Sequence, residues 1–221
     1  MKKLFVPFFL FCFIVLLIFF NSCSKSSPTN PQPTNTPTPT YTATETPTQY
    51  PQTNFYNFET NTESWNAGSP LFSMDDFGIS VAHNTNPIYC YNGSAGSLQL
   101  NTDFTKSLNL FAIASFSFST AQNLEYHTIT AKFYAPAGIV TTTNPLTVSL
   151  YVFLSTKGYS YWGELKPLTT EGWYDLVLVI QESPIGGDYF QHISEIGIVI
   201  MKNTSSSVNY VGPVYIDEVA W

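Results

Sequence analysis

The run Leu146-Thr147-Val148-Ser149-Leu150-Tyr151-Val152-Phe153-Leu154, then Ser155-Thr156-Lys157-Gly158, then Tyr159-Ser160-Tyr161-Trp162-Gly163-Glu164-Leu165 decides the fold. Leu146, Val148, Leu150, Val152 and Leu154 recur at every second position, with Thr147, Ser149, Tyr151 and Phe153 between them. Successive side chains of a strand point to opposite faces, so this period of two marks a β-strand with one core face. The next four residues read as a hairpin turn, and a turn of given length sets the register of its strands. On the core side Leu154 then faces Tyr159, Val152 faces Tyr161, Leu150 faces Gly163 and Val148 faces Leu165. On the other face Phe153 pairs with Ser160, Tyr151 with Trp162, and Ser149 with Glu164.

Outward from this hairpin, short alternating runs separated by Gly, Pro, Asn and Ser fill the chain from Asn54 to Trp221. They are Phe55–Glu59, Ile79–His83, Ser97–Asn101, Leu110–Phe118, Thr128–Tyr134, Trp173–Gln181, Ile193–Met201 and Tyr215–Val219, besides the two hairpin arms. No segment carries a helical period. About ten strands at turn-punctuated intervals predict an all-β antiparallel sandwich of the jelly-roll kind.

The N-terminal part has a different composition. Lys2 and Lys3 precede an uncharged apolar run from Leu4 to Phe20, and Asn21-Ser22-Cys23 follows. A basic start, an apolar centre and a small residue before a cut site are the parts of a secretory signal. Cys23 directly after that site resembles the lipobox of bacterial lipoproteins, with Phe20 where Leu is usual and Asn21 where a small residue is usual. The resemblance implies a signal over 1–22, lipidation of Cys23 and a chain held to the envelope outside the cytoplasm. The alternative is an uncleaved anchor. Residues 23–53 are dominated by Pro, Thr and Asn, with almost nothing to bury, and predict an extended linker.

The domain expected over 54–221 contains one cysteine, Cys90, and so no internal disulfide. The chain has no arginine. Without Lys2 and Lys3, six lysines stand against fifteen acids, a net charge of −9. Phosphate contacts need clustered cations, so nucleic acid is excluded as the expected partner. Low charge with 16% aromatic residues suits a neutral ligand with apolar faces and hydroxyl rims, although an aromatic core has the same composition.

Five landmarks stand in order: Asn57-Phe58-Glu59 with Trp65, Gly96-Ser97-Leu98-Gln99-Leu100, Phe133-Tyr134-Ala135-Pro136, Gly172-Trp173-Tyr174-Asp175-Leu176 and Tyr215-Ile216-Asp217-Glu218-Val219. In this order the chain resembles the jelly-roll carbohydrate-binding modules, the galactose-binding-like sandwiches attached to glycan-degrading enzymes. The resemblance implies a structural Ca2+ tying the first strand to the last through Glu59 and Asp217, with carbonyls near Ser94. Solvated strand-end acids are the alternative. It also places Trp65 and Trp173 in the core.

The expected ligand platform is the Tyr151/Trp162 face, with Glu164, Ser149, Ser160 and Phe153 around the rings. Pyranose C–H faces stack on aromatic rings while carboxylate and hydroxyl groups bind the sugar hydroxyls. A one-residue slip would send Trp162 inward instead. Tyr89 and Tyr91, on a loop beside Cys90, are second candidates. No His pair has metal-ligand spacing, and no second acid pairs opposite Glu164 at the roughly 5 to 9 Å a glycosidase requires. The reading is a non-catalytic, monomeric, surface-tethered binder of polysaccharide. A protein-interaction sandwich is the main alternative, and a glycoside hydrolase or lyase a lesser one.

Overall fold

The computed structural model describes residues 54–68, 78–105, 111–156, 158–181 and 189–221. The signal, Cys23 and the linker lie outside the described residues, as does Lys157 of the hairpin turn. Twelve strands are described: β1 (Phe55–Tyr56), β2 (Asn66–Ala67), β3 (Gly78–Asn84), β4 (Ser97–Asp103), β5 (Phe111–Gln122) and β6 (Thr128–Ala135), then β7 (Thr147–Leu154), β8 (Tyr159–Trp162), β9 (Lys166–Pro167), β10 (Gly172–Val179), β11 (Ile193–Met201) and β12 (Val211–Ala220). They form two six-stranded antiparallel sheets. One runs β10-β6-β12-β4-β3 with β1 on β12, and the other β2-β5-β11-β7-β8 with β9 on β7.

Alternation builds the core between the sheets. Leu146, Val148, Leu150, Val152 and Leu154 of the hairpin meet Leu98 and Leu100 of β4, Ile129 and Phe133 of β6, and Ile196, Ile198 and Ile200 of β11. Trp65 is buried in this core as expected, edge-on to Phe58 with centroids 5.9 Å apart. Trp221 closes the core at the C-terminal end, packing on Tyr56 at 5.1 Å and Phe118 at 5.7 Å. Its main chain and that of Asn54 exchange two 3.1 Å hydrogen bonds, which joins the two ends of the domain.

Two expectations about strands are corrected. The first strand stops at Tyr56 rather than Glu59, because Phe58 has a left-handed φ of 53°, which ends strand geometry. The second hairpin arm breaks after Trp162. Gly163 donates its N–H to Leu150, and pairing with β7 resumes one residue out of register, with Lys166 opposite Val148. Leu165 is therefore 50% exposed instead of facing Val148 in the core. The cause is a close approach to the opposite sheet: a Cβ on Gly163 would stand 2.9 Å from the Val177 carbonyl oxygen. Tyr161 sits at the sheet edge, packed edge-on against Phe190 at 5.1 Å.

Candidate functional site

The hairpin register is the expected one along β8: Tyr151 opposite Trp162, Val152 opposite Tyr161, Phe153 opposite Ser160 and Leu154 opposite Tyr159. Gly158, at φ 68°, closes the turn by donating its N–H to Leu154 at 3.0 Å. Tyr151 and Trp162 thus share the outer face of their sheet, with ring centroids 6.1 Å apart and planes 35° from parallel. Trp162 is half-buried, and its indole N–H donates to the Ser160 hydroxyl.

Beneath Trp162 the face is lined by a second apolar cluster. Ile113 of β5, Val199 of β11 and Tyr151 are buried together, with Phe111, Met201 and Trp162 against them. Tyr151 is fully buried, as are Ser149 and, nearly so, Phe153. The expectation that these three stand open on an outer face is therefore corrected. Tyr151 is opposite Gly197 on β11, and its ring lies down over that residue: a Cβ on Gly197 would be 2.5 Å from Cε1. The phenol then reaches two residues along β11 and donates to Glu195 Oε1 at 2.6 Å. Ser117 of β5 donates to the other oxygen of Glu195 at 3.2 Å. Ser149 turns its hydroxyl back to the Leu150 carbonyl at 2.9 Å. Glu164 is exposed beyond the end of β8, and the break at Gly163 removes it from its expected place opposite Ser149.

Sequence reasoning missed Glu195 and Gly197. The Ile193–Met201 run is apolar on both faces apart from these residues and Ser194, so a lone buried acid there was the available signal.

The structure separates Tyr89 and Tyr91 from this platform and places them on the outer face of the other sheet. A row of rings crosses that sheet in register, Trp173 opposite Tyr134 and Tyr134 opposite Tyr215. Tyr89 stacks on Tyr215 with centroids 4.1 Å apart and planes 6° from parallel. Tyr91 packs edge-on to Trp173 at 5.3 Å, and the Lys132 ammonium lies over its ring 4.4 Å from the centroid. Trp173 is therefore outside the core, contrary to expectation. The alternation of Gly172–Val179, with Leu176 and Leu178 inward, was the legible sign. Burial and a 2.9 Å bond to Glu171 push the Tyr134 hydroxyl up to about 12. The loop bearing the two tyrosines is held by Asn86, whose side chain accepts from the Ile88 N–H at 3.2 Å, and by the Cys90 thiol, which donates to the Asn86 carbonyl at 3.3 Å.

The loop also connects to Asp217. This residue is fully buried, and its Oδ2 accepts from the Tyr91 N–H at 2.9 Å and the Ser94 hydroxyl at 2.6 Å, while Oδ1 accepts from the Glu218 N–H at 2.9 Å. Burial pushes its carboxyl above the usual range. Glu59 accepts from the Ala95 N–H at 2.7 Å. Among the described residues no three His, Cys, Asp or Glu side chains are grouped to hold a metal. One atom nevertheless suits a cation: Glu63 Oε2 is buried with no hydrogen-bond partner, and its carboxyl is pushed up by burial and by the charges of Asp217 and Glu59.

No protein-family model matches the chain, and no curated protein does. Several solved structures are similar to it. The xylan-binding module CBM15 superposes at a TM-score of 0.48 and 14% identity, covering 75% of this chain and 92% of that one. The xylan-binding domain from CBM22 gives 0.43 and 13%, covering 76% and 92%. The cleaved adhesin domain of Lys-gingipain from Porphyromonas gingivalis gives 0.45 at 8% identity, covering 75% and 95%. The choice of ligand has to come from the site itself.

Proposed function

We propose that this domain binds a neutral polysaccharide without cleaving it, on the outer face of the β7–β8 sheet. The observation that carries this reading is the Tyr151–Trp162 pair. Trp162 lies half-exposed over a buried apolar floor, with the Ser160 hydroxyl on its indole N–H and Glu164 exposed beyond it. A pyranose presents an apolar C–H face to such a ring while its hydroxyls take the polar groups at the margin. In this arrangement Trp162 is the stacking surface. Tyr151, held by Glu195, is the rigid floor that sets its height, so a ligand meets a surface already ordered before it binds.

The acids on this face favour binding over hydrolysis. Glu195 is fully buried with both oxygens engaged, while Glu164 is exposed beyond the end of the strand, so the two do not stand as a pair of free carboxyls on this face. Calcium belongs to the same reading. Glu59 and Asp217, with carbonyls near Ser94, would hold it and tie the segment after β1 to β12, and its positive charge would offset the crowding of carboxylates that also reaches Glu63. Lipidation of Cys23 and the Pro/Thr-rich stretch after it would present the domain at the cell envelope, as a tether presents a capture module.

The deciding experiment is affinity electrophoresis of the full chain in detergent, through gels containing β-glucan, xylan or mannan, with Trp162→Ala beside the parent. Retardation of the parent by one glycan, reduced in a variant that stays folded, is expected. No retardation of the parent in any gel would remove this reading and leave the protein-interaction alternative, while equal retardation of parent and variant would remove this face as the site.

A further inference from the structure

The outer face of the other sheet contains a cavity of about 520 Å³, lined by Phe55, Lys132, Asp175, Val177 and Glu218 over the backbone of Ala131 and Leu176. The geometry points to a second glycan-binding site here, one that takes a short neutral oligosaccharide. The inference rests on the glycan reading above for its ligand class, and on separate residues for its existence.

The cavity is made by an irregularity in β12. Asp217 pairs with Lys132 and Ala220 with Thr130, so two residues of β12, Glu218 and Val219, stand against Ala131 alone. Glu218 takes a left-handed φ of 50° at this bulge, a conformation costly for a side chain with a Cβ. The extra residue interrupts the ladder, and Glu218 lines the cavity together with Lys132 and Asp175. Bulges occur more often beside functional sites than elsewhere.

The lining has the chemistry of a sugar site. Phe55 is 56% exposed and Val177 42%, which offers an apolar wall and a ring face to C–H groups. Lys132 is ion-paired with Asp175 and held over the Tyr91 ring, so its ammonium and that carboxylate are fixed before any ligand arrives. Two carboxylates and one ammonium leave the cavity with a net negative charge, which repels phosphate, sulfate and uronic acid ligands. Paired hydroxyls of a neutral sugar fit the carboxylates as donors and the ammonium as an acceptor. The volume lies within the about 300–1,000 Å³ of small-molecule sites.

The two sites lie on opposite sheets and share no residue, so one domain would engage two glycan segments. The test is titration calorimetry of the full chain in detergent with β-1,4-linked hexaoses of glucose, xylose and mannose. The parent, Phe55→Ala, Asp175→Asn and Trp162→Ala are compared. Phe55 is mostly exposed and pairs with Ala220 through its backbone, so its truncation leaves β1 intact. Two sugars bound per parent chain, and one in Phe55→Ala with at least tenfold weaker binding at the lost site in Asp175→Asn, is the expected result. One sugar per chain lost only in Trp162→Ala overturns the second site and leaves the first. One sugar lost only in Phe55→Ala keeps this site and removes the other. No heat from any hexaose with any variant overturns both.

Discussion

The Tyr151 hydroxyl donates to Glu195 across 2.6 Å while both side chains are fully buried, although the residues lie 44 positions apart. A buried carboxylate is costly unless it is hydrogen-bonded, so this contact links the order of the proposed platform to the stability of the sheet beneath it. Trp162 sits on Tyr151, Tyr151 on Gly197 and Glu195, and any change in that stack changes the surface a ligand meets.

Tyr151→Phe takes from Glu195 its shorter donor and leaves the 3.2 Å bond from Ser117. The expected loss is about 1–3 kcal/mol of unfolding free energy, measured by urea denaturation, with little change in m-value. An unchanged midpoint would show that the bond contributes nothing net.

Gly197→Ala places a methyl 2.5–2.6 Å from Cε1, Cζ and Oη of Tyr151, so the ring has to lift. A destabilisation of about 1–3 kcal/mol is expected, with a shift in the tryptophan emission as Trp162 moves. In Tyr151→Ala the same glycine change should cost much less. Additive effects in the double variant would refute the packing argument.

Lys202 donates to the carbonyls of Phe104 and Val208 at 2.8 and 2.6 Å, and to Asn209 Oδ1 at 3.3 Å. It pins the segment before β12 to the end of β4. Lys202→Met keeps the aliphatic stem and removes the donors. A loss of about 1.5–3 kcal/mol is expected, with faster amide exchange in residues 203–210.

His127, before β6, is held below its usual pKa by burial. The unfolded chain, titrating near about 6.5, binds more protons at this site than the folded one. The resulting stability is present above that pH and declines as the pH falls below it. Glu63 and Asp217, raised by burial, act oppositely at lower pH by protonating first in the folded state. His127→Gln removes only the first effect. Its melting temperature should fall less than the parent's between pH 7 and pH 5.5, and parallel curves would count against the assignment.

Calcium, if held by Glu59 and Asp217 with carbonyls near Ser94, stabilises by mass action, about 2.7 kcal/mol at a hundredfold excess over its Kd. The full chain should melt higher in millimolar calcium chloride than in chelator. Glu59→Gln should shrink the difference. Equal melting temperatures for the parent in both solutions would remove calcium from the account.

Alternation along Leu146–Leu154 is a local property of extended backbone, and it was enough to place β7, its turn, the Tyr151–Trp162 pairing and one core face. The same reasoning applied to Gly172–Val179 would have put Trp173 outside, and the resemblance to a family pattern masked it. The break at Gly163 was not legible, because its cause is a carbonyl of Val177 in the opposite sheet. Glu218's place in the cavity lining was hidden for a similar reason, since the bulge exists only against β6.

By itself, then, the sequence determined the all-β class, the central hairpin and the rings available to a ligand, because side-chain direction in a strand depends only on position along the chain. Tertiary structure alone decided which of those rings stay accessible. It buried Tyr151 under its contact with Glu195, moved Tyr89 and Tyr91 to the other sheet, and opened a cavity beside Phe55. Coverage of a face depends on residues that are neighbours in space and distant in sequence, and no local period records them.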